Sequence, residues 1–215
     1  MSDPVRFDRR GAVAVITLDN PPVNALSLSL RTGLDRALAA GMEDTEIEAF
    51  VLHSAGRMFS AGADIREFDS GAAGESPTLG ELIATIEASP KPVVAAIHGT
   101  ALGGGCEVAL GCHARVSVPG TRLGLPEVTL GIVPGAGGTQ RLPRLIGVPA
   151  ALDMIVSGKP MKAEKGHALG LVDEMATDGA DLVDVAVGLA ERLASEAGPP
   201  PKVRDRGDLL AEARE

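Results

Sequence analysis

The chain has 215 residues, 45% of them hydrophobic, which is enough for one large domain, or a domain with a small appendage, and too apolar for a disordered segment. Aromatic residues make up 2%, with no Trp or Tyr, and 20 basic against 29 acidic residues leave a net charge of −9; both disfavour a nucleic-acid-binding role. No run of 18 apolar residues occurs, so no membrane-spanning helix is expected.

In chain order, Val5–Asp8 and Ala12–Leu18 read as two short strands, with Gly11 marking a hairpin between them. Asp19-Asn20-Pro21-Pro22 ends the second, because proline cannot donate to a ladder. Leu26, Leu30, Leu34 and Leu38 recur at helical spacing and predict a helix over 26–40. Ala49–His53 is the next strand. Phe59-Ser60-Ala61-Gly62-Ala63-Asp64-Ile65 is a turn of small residues that offers exposed N–H groups and leads toward a helical segment. Asp69–Pro77 has loop composition. A helix is predicted over 78–88, with Thr78 as N-cap and Glu81 as its capping-box partner.

The stretch from Pro92 to Glu127 organises the rest. Pro92–His98 is an apolar, partly β-branched run, the signature of a buried strand. Gly103, Gly104 and Gly105 follow, and Cys106–Leu110 suits a helix. Strand, glycine-rich turn and helix start leave backbone N–H groups unpaired and favour negative charge there. Glu107 lies in the first helical turn and Glu127 in a Leu125-Pro126-Glu127 turn. Unpaired N–H groups beside two carboxylates are a layout for proton transfer next to a developing oxyanion. Each piece alone has a plain structural reading. Triple glycine also permits close helix–strand packing, and a first-turn Glu also complements the helix dipole.

Ala114–Val118 is a further strand, and Gly131–Gln140 a third glycine-rich turn before a helix. Pro149–Ser157 and Ala163–Leu169 read as short helices, and Ala180–Ser195 as a last amphipathic one. Gly198-Pro199-Pro200-Pro201 stops it, and the charged remainder to Glu215 has the composition of a linker and tail. Strand, turn and helix in repetition define an α/β chain.

Several chemistries are absent as motifs. From Gly135 a G-x-G-x-x-G pattern fails at Gln140, and there is no P-loop, nucleophile elbow or H-E-x-x-H. Cys106 and Cys112, with their apolar surroundings, match no metal-site spacing and read as buried free thiols of a reducing, cytoplasmic compartment. The N-terminal residues lack an apolar signal-peptide core. His53, His98, His113 and His167 are scattered, and His98 at a strand end reads as a hydrogen-bonded structural residue.

Five blocks, in order, resemble the crotonase (enoyl-CoA hydratase/isomerase) superfamily: Phe59–Ile65, Lys91–Gly99, Leu102–Glu107, Leu125–Glu127 and Pro134–Leu142. The likeness spans about Val5 to Leu193, and Arg144–Asp173 is similar to the hydratase/isomerase part of multifunctional β-oxidation proteins. It implies a spiral of ββα turns over residues 1–197, with a shortened C-terminal helical region and a linker and tail over 198–215. It implies a homotrimer or a dimer of trimers, and a coenzyme A thioester as substrate with no metal or other cofactor. The Ala63 and Gly104 N–H groups would form an oxyanion hole, and coenzyme A would lie along Ala61, Ala63, Asp64, Ile65 and Arg66. Glu127 would supply the proton to C2 while Glu107 helps activate water. The activity implied is hydration of 2-trans-enoyl-CoA in fatty-acid β-oxidation. Double-bond isomerisation, or a catalytically weak acyl-CoA-binding subunit, is the alternative.

Overall fold

The computed structural model describes residues 3–67, 71–177 and 179–211. Asp69 and Ser70 of the expected loop, and the last four residues of the expected tail, lie outside them.

Two strands, β1 (Val5–Arg10) and β2 (Val13–Leu18), form an antiparallel hairpin about Gly11, whose φ of 60° suits a residue without Cβ. Then β3 (Ala49–Ser54), β4 (Val93–Ile97), β6 (Ala114–Ser117) and β9 (Glu174–Met175) add in parallel, giving the sheet order β1-β2-β3-β4-β6-β9. A second, small sheet holds β5 (Thr100–Leu102), β7 (Arg122–Gly124) and β8 (Met161–Lys162).

Both faces of the large sheet are covered, and the alternation along each strand sorts side chains between two cores. Ala14, Ile16 and Leu18 of β2 face the main core. Val13 and Val15 face the other side, where Val183, Ala186 and Ala190 of α7 (Leu182–Ser195) pack on the sheet. The main core is closed by α1 (Leu28–Glu43), α2 (Leu79–Ala88), α3 (Gly104–Gly111) and α4 (Gly138–Ile146). The helices α5 (Val148–Ser157) and α6 (Ala163–Leu169) follow.

The expected helices and long strands are present, with ends moved by local chemistry. Ser27 caps α1, so that helix starts at Leu28 rather than Leu26 and runs on to Glu43. Asp181 accepts from Val183 and Asp184 and starts α7 two residues after the expected Ala180. Thr78 and Glu81 form the capping box of α2. The strands of the small sheet are two or three residues long and carry no periodic signal of their own. Ala72–Gly74 is a 3-10 turn inside the expected loop, and Glu127 opens another, Glu127–Leu130.

Residues 198–211, read from composition as linker and tail, lie against the body. Val203 is buried in the main core within a 3-10 turn, Val203–Asp205, and Arg204 pairs with the buried Glu87; a short helix, α8 (Asp208–Ala211), follows.

Candidate functional site

Two pieces of non-local pairing build the site. Ser60 bridges to Ala101 of β5, donating its N–H to Thr100 O at 3.1 Å and accepting from Leu102 N at 3.0 Å. Leu26 bridges to Ala63, with Leu26 N donating to Gly62 O at 2.9 Å. The small-residue turn is thereby pinned beside the turn that starts α3. A Cβ on Gly104 would lie 3.3 Å from Ala63 N, and one on Gly62 would lie 3.3 Å from Gly104 N, so the two amides are neighbours. Neither N–H donates to a protein acceptor among the described residues. Gly104 is the first residue of its helix, where no intrahelical partner exists.

Small residues are required here by contact. A Cβ on Gly105 would fall 2.7–2.9 Å from Ser60, and one on Gly104 only 2.6 Å from the Leu79 side chain. Gly103 sits at φ 51°, ψ −127°, a conformation that favours glycine, with Glu127 Oε1 3.5 Å from where its Cβ would be.

The two carboxylates reach the same cleft, about 440 Å³ in volume, on whose walls lie Ala63, Gly104, Glu107 and Glu127. Glu107 Oε1 accepts from Ala136 N at 2.8 Å and Gly138 N at 2.9 Å, both on the third glycine-rich turn. Burial pushes the Glu107 carboxyl above the ordinary carboxylate range, opposed by those two amides and by the charge of Arg141. Burial also pushes Glu127 up. Its own backbone amide opposes the shift, and the negative charge of Glu107 adds to it. Glu127 Oε2 is buried with no protein hydrogen bond. Both carboxyls are thus raised, but Glu107 has fixed donors that favour its ionised form, whereas Glu127 Oε2 has none.

Ala61, Ala63, Asp64 and Ile65 line the same cleft. Arg66 does not: it is exposed and engaged with Asp64 through Nε–Oδ1 and NH2–Oδ2 contacts of 2.8 and 2.7 Å. That contact holds the Asp64 carboxyl below its ordinary range. His98 Nε2 lies 3.0 Å from Gly56 O, in keeping with a structural role, and both cysteines are buried and free.

Sequence reasoning missed the residues that support this constellation. Leu79, first residue of α2, packs on Gly104, and its only signal was its place after the Thr78 cap. Arg31 is buried beside the cleft. It donates to Leu26 O, Pro77 O and Ala72 O at 2.8–2.9 Å and pairs with Glu67 at 2.9 Å, joining α1 to the segments on either side of 68–70. Arg141 lay within a recognised block but carried no assigned role.

Comparison with known proteins gives the family and the fold. The family model for Enoyl-CoA hydratase/isomerase matches residues 8–202. A probable enoyl-CoA hydratase of Bacillus subtilis is 45% identical over 190 residues, 86% of this chain and 74% of that protein. The human peroxisomal bifunctional enzyme is 48% identical over 185 residues. That stretch is 86% of this chain but only 25% of the enzyme, so the chain spans about a quarter of such multifunctional relatives. Among solved structures, the enoyl-CoA hydratase of Bacillus anthracis superposes with a TM-score of 0.82 at 36% identity, covering 90% of this chain and 77% of the other. DspI of Pseudomonas aeruginosa gives 0.85 at 32%, covering 100% and 88%. The crotonase fold expected of the sequence is thus the fold adopted, and a chain matched over nearly its whole length in this way is a member of the enoyl-CoA hydratase/isomerase family.

Proposed function

We propose that the chain is an enoyl-CoA hydratase, adding water across C2=C3 of 2-trans-enoyl-CoA thioesters in fatty-acid β-oxidation. The observation that carries the reading is the convergence, in one cleft, of two neighbouring amides without protein acceptors and two carboxylates in unlike environments. The thioester carbonyl would accept from Ala63 N and Gly104 N. Water bonds through oxygen to C3 while the π electrons move toward the thioester oxygen, and Glu107 takes the water's proton. Glu127 then gives its proton to C2, collapsing the enolate. One molecule of water is added, and exchange with solvent returns each carboxyl to its starting state. An oxyanion donor of this kind contributes about 2.7–4 kcal/mol to the transition state. The reaction moves only water and protons, so the proposal includes no cofactor beyond the coenzyme A of the substrate, which would run along Ala61, Ala63, Asp64 and Ile65. Arg66 lies outside the cleft wall and would meet only the exposed end of that molecule.

A second activity, moving a double bond from C3 to C2, is supported by Glu127: a buried carboxyl of raised proton affinity with one oxygen unpaired can carry a proton between carbons without water. Incubation with a 2-trans-enoyl-CoA and, separately, with a 3-enoyl-CoA distinguishes the two, hydration being read as loss of the conjugated thioester and isomerisation as its appearance. Hydration over a series of acyl lengths is the expected result. Tight thioester binding with neither reaction would overturn the enzyme reading and leave an acyl-CoA-binding subunit.

A further inference from the structure

We propose that Arg141 is a positioning residue for Glu107, acting through the Ala136–Gly138 turn, and that Glu87 and Arg204 anchor it there. The proposal rests on the hydratase reading above for its kinetic consequences, but the geometry behind it is independent of substrate.

The guanidinium of Arg141 is engaged on two sides. Nε and NH2 donate to the two oxygens of Glu87 at 3.1 and 2.8 Å. NH1 donates to Ala136 O at 3.1 Å. Ala136 presents its carbonyl to Arg141 and its N–H to Glu107, so a single residue connects the cation to the carboxylate. Gly138 supplies the second amide to the same Glu107 oxygen. Between them Gly137 has φ 100°, and a Cβ there would sit 2.2 Å from Arg141 NH1. The turn is therefore folded tightly around the guanidinium, and only glycine fits.

If Arg141 served only to neutralise the buried Glu87, the acid would need no further cation. Glu87 already has one: Arg204 donates its backbone N–H to Oε1 at 3.1 Å and its Nε to Oε2. One buried negative charge thus faces two guanidinium groups, which leaves Arg141 with positive charge toward the turn and Glu107. The charged and titratable groups around this chain of contacts are few. Glu107, on α3, is faced by Arg141 of α4 and by Glu127 of the 3-10 turn. Glu87 faces Arg141, Arg204 and His113, which burial keeps neutral near an ordinary pH with its value lowered to about 4.

A cation on this side favours ionised Glu107, and because both turn amides bind Oε1, the other oxygen is left for the attacking water. Loss of Arg141 therefore raises the pH at which Glu107 ionises and loosens its two donors. Isomerisation, which needs Glu127 and no water, is expected to be less affected. A misplacement of this kind lowers the rate of the affected step by about tenfold to a hundredfold.

The test compares wild type with Arg141→Gln and with Glu87→Gln/Arg141→Gln. The double variant leaves no lone buried charge and carries the test if the single variant fails to fold. Expected are a loss of hydration kcat in that range, a KM for the thioester changed by less than about threefold, an acid limb of the kcat/KM profile moved to higher pH, and a smaller loss of isomerisation. A folded variant whose two activities fall equally, with the acid limb unmoved, overturns the proposal. Difference infrared titration of the Glu107 carboxylate, assigned with Glu107→Gln, reads the same upward shift without turnover. If wild type does not hydrate, the hydratase reading fails while this titration still decides the role of Arg141.

Discussion

Glu127 is a carboxyl held out of water with one oxygen unpaired and the negative charge of Glu107 facing it. Its folded pKa lies above the unfolded value, so the folded chain binds its proton more tightly, and ionisation costs stability as pH rises from the ordinary carboxylate range through the raised value. Glu127→Gln removes that cost. Above the window the variant is expected to be more stable by about 0.5–2 kcal/mol, while below about pH 4, where both forms are neutral, the difference vanishes. The same variant is expected to lose hydration by roughly a hundredfold to ten-thousandfold, as a missing general acid does. Thermal melts at several pH values with parallel turnover check both, and a variant less stable than wild type at pH 8 contradicts the argument. Gly105 makes a separate case: Gly105→Ala drives a Cβ onto the backbone and side chain of Ser60, so a loss of about 1–3 kcal/mol is expected by urea denaturation. At this scale the sequence made Ala63, Gly104, Glu107 and Glu127 visible, because each belongs to a block with its own spacing. Arg31 and Arg115 were invisible for a physical reason. Most of their partners are backbone carbonyls, such as Pro77 O and Ala72 O for one and Leu171 O and Cys112 O for the other, which leave no trace in side-chain identity.

The elements that were legible are those long enough to carry a signal of their own. β2 and β3 are apolar runs buried along nearly their whole length, and the buried residues of α1 recur every three to four. The small sheet was not, since a strand such as Thr100–Leu102 exists only because β7 lies beside it. The C-terminal segment misled differently. Prolines 199–201 argued for a linker, while the anchor is one apolar residue and one arginine: Val203, almost fully buried, and Arg204 on Glu87. Val203→Ala is therefore expected to destabilise the whole domain by about 1–3 kcal/mol, the effect of a core truncation, where an exposed tail would show none. Urea unfolding monitored by circular dichroism measures it, and an unchanged midpoint means that the segment contributes nothing to the core.

For the whole molecule, the described surface keeps several large apolar side chains in water. Leu130 and Val133 lie at the cleft, and Leu152 and Val156 on α5. Burying such side chains against a second copy is the favourable outcome, worth about 25 cal/mol per Å² removed from water. A trimer or a dimer of trimers is the expected state, read by light scattering at micromolar concentration. A monodisperse monomer that binds no hydrophobic dye contradicts it. No helix among the described residues is long and apolar enough to cross a membrane.

The large sheet has one more property: its strands stand in space in the order in which they occur in the chain, β1, β2, β3, β4, β6, β9. A polypeptide emerging from the ribosome can thus dock each new strand on one already in place, never having to prise two neighbours apart. The last arrival is decisive. Arg115 on β6 is wholly enclosed, and its carboxylate partner, Asp173, comes only with β9, where NH2 and Oδ2 meet at 2.8 Å. Until Asp173 has emerged, Arg115 lacks the carboxylate that balances its charge once it is enclosed. A chain arrested at residue 170 is expected to remain protease-sensitive, and the sheet to be closed only when Asp173 and then α7, which covers its second face, have left the tunnel.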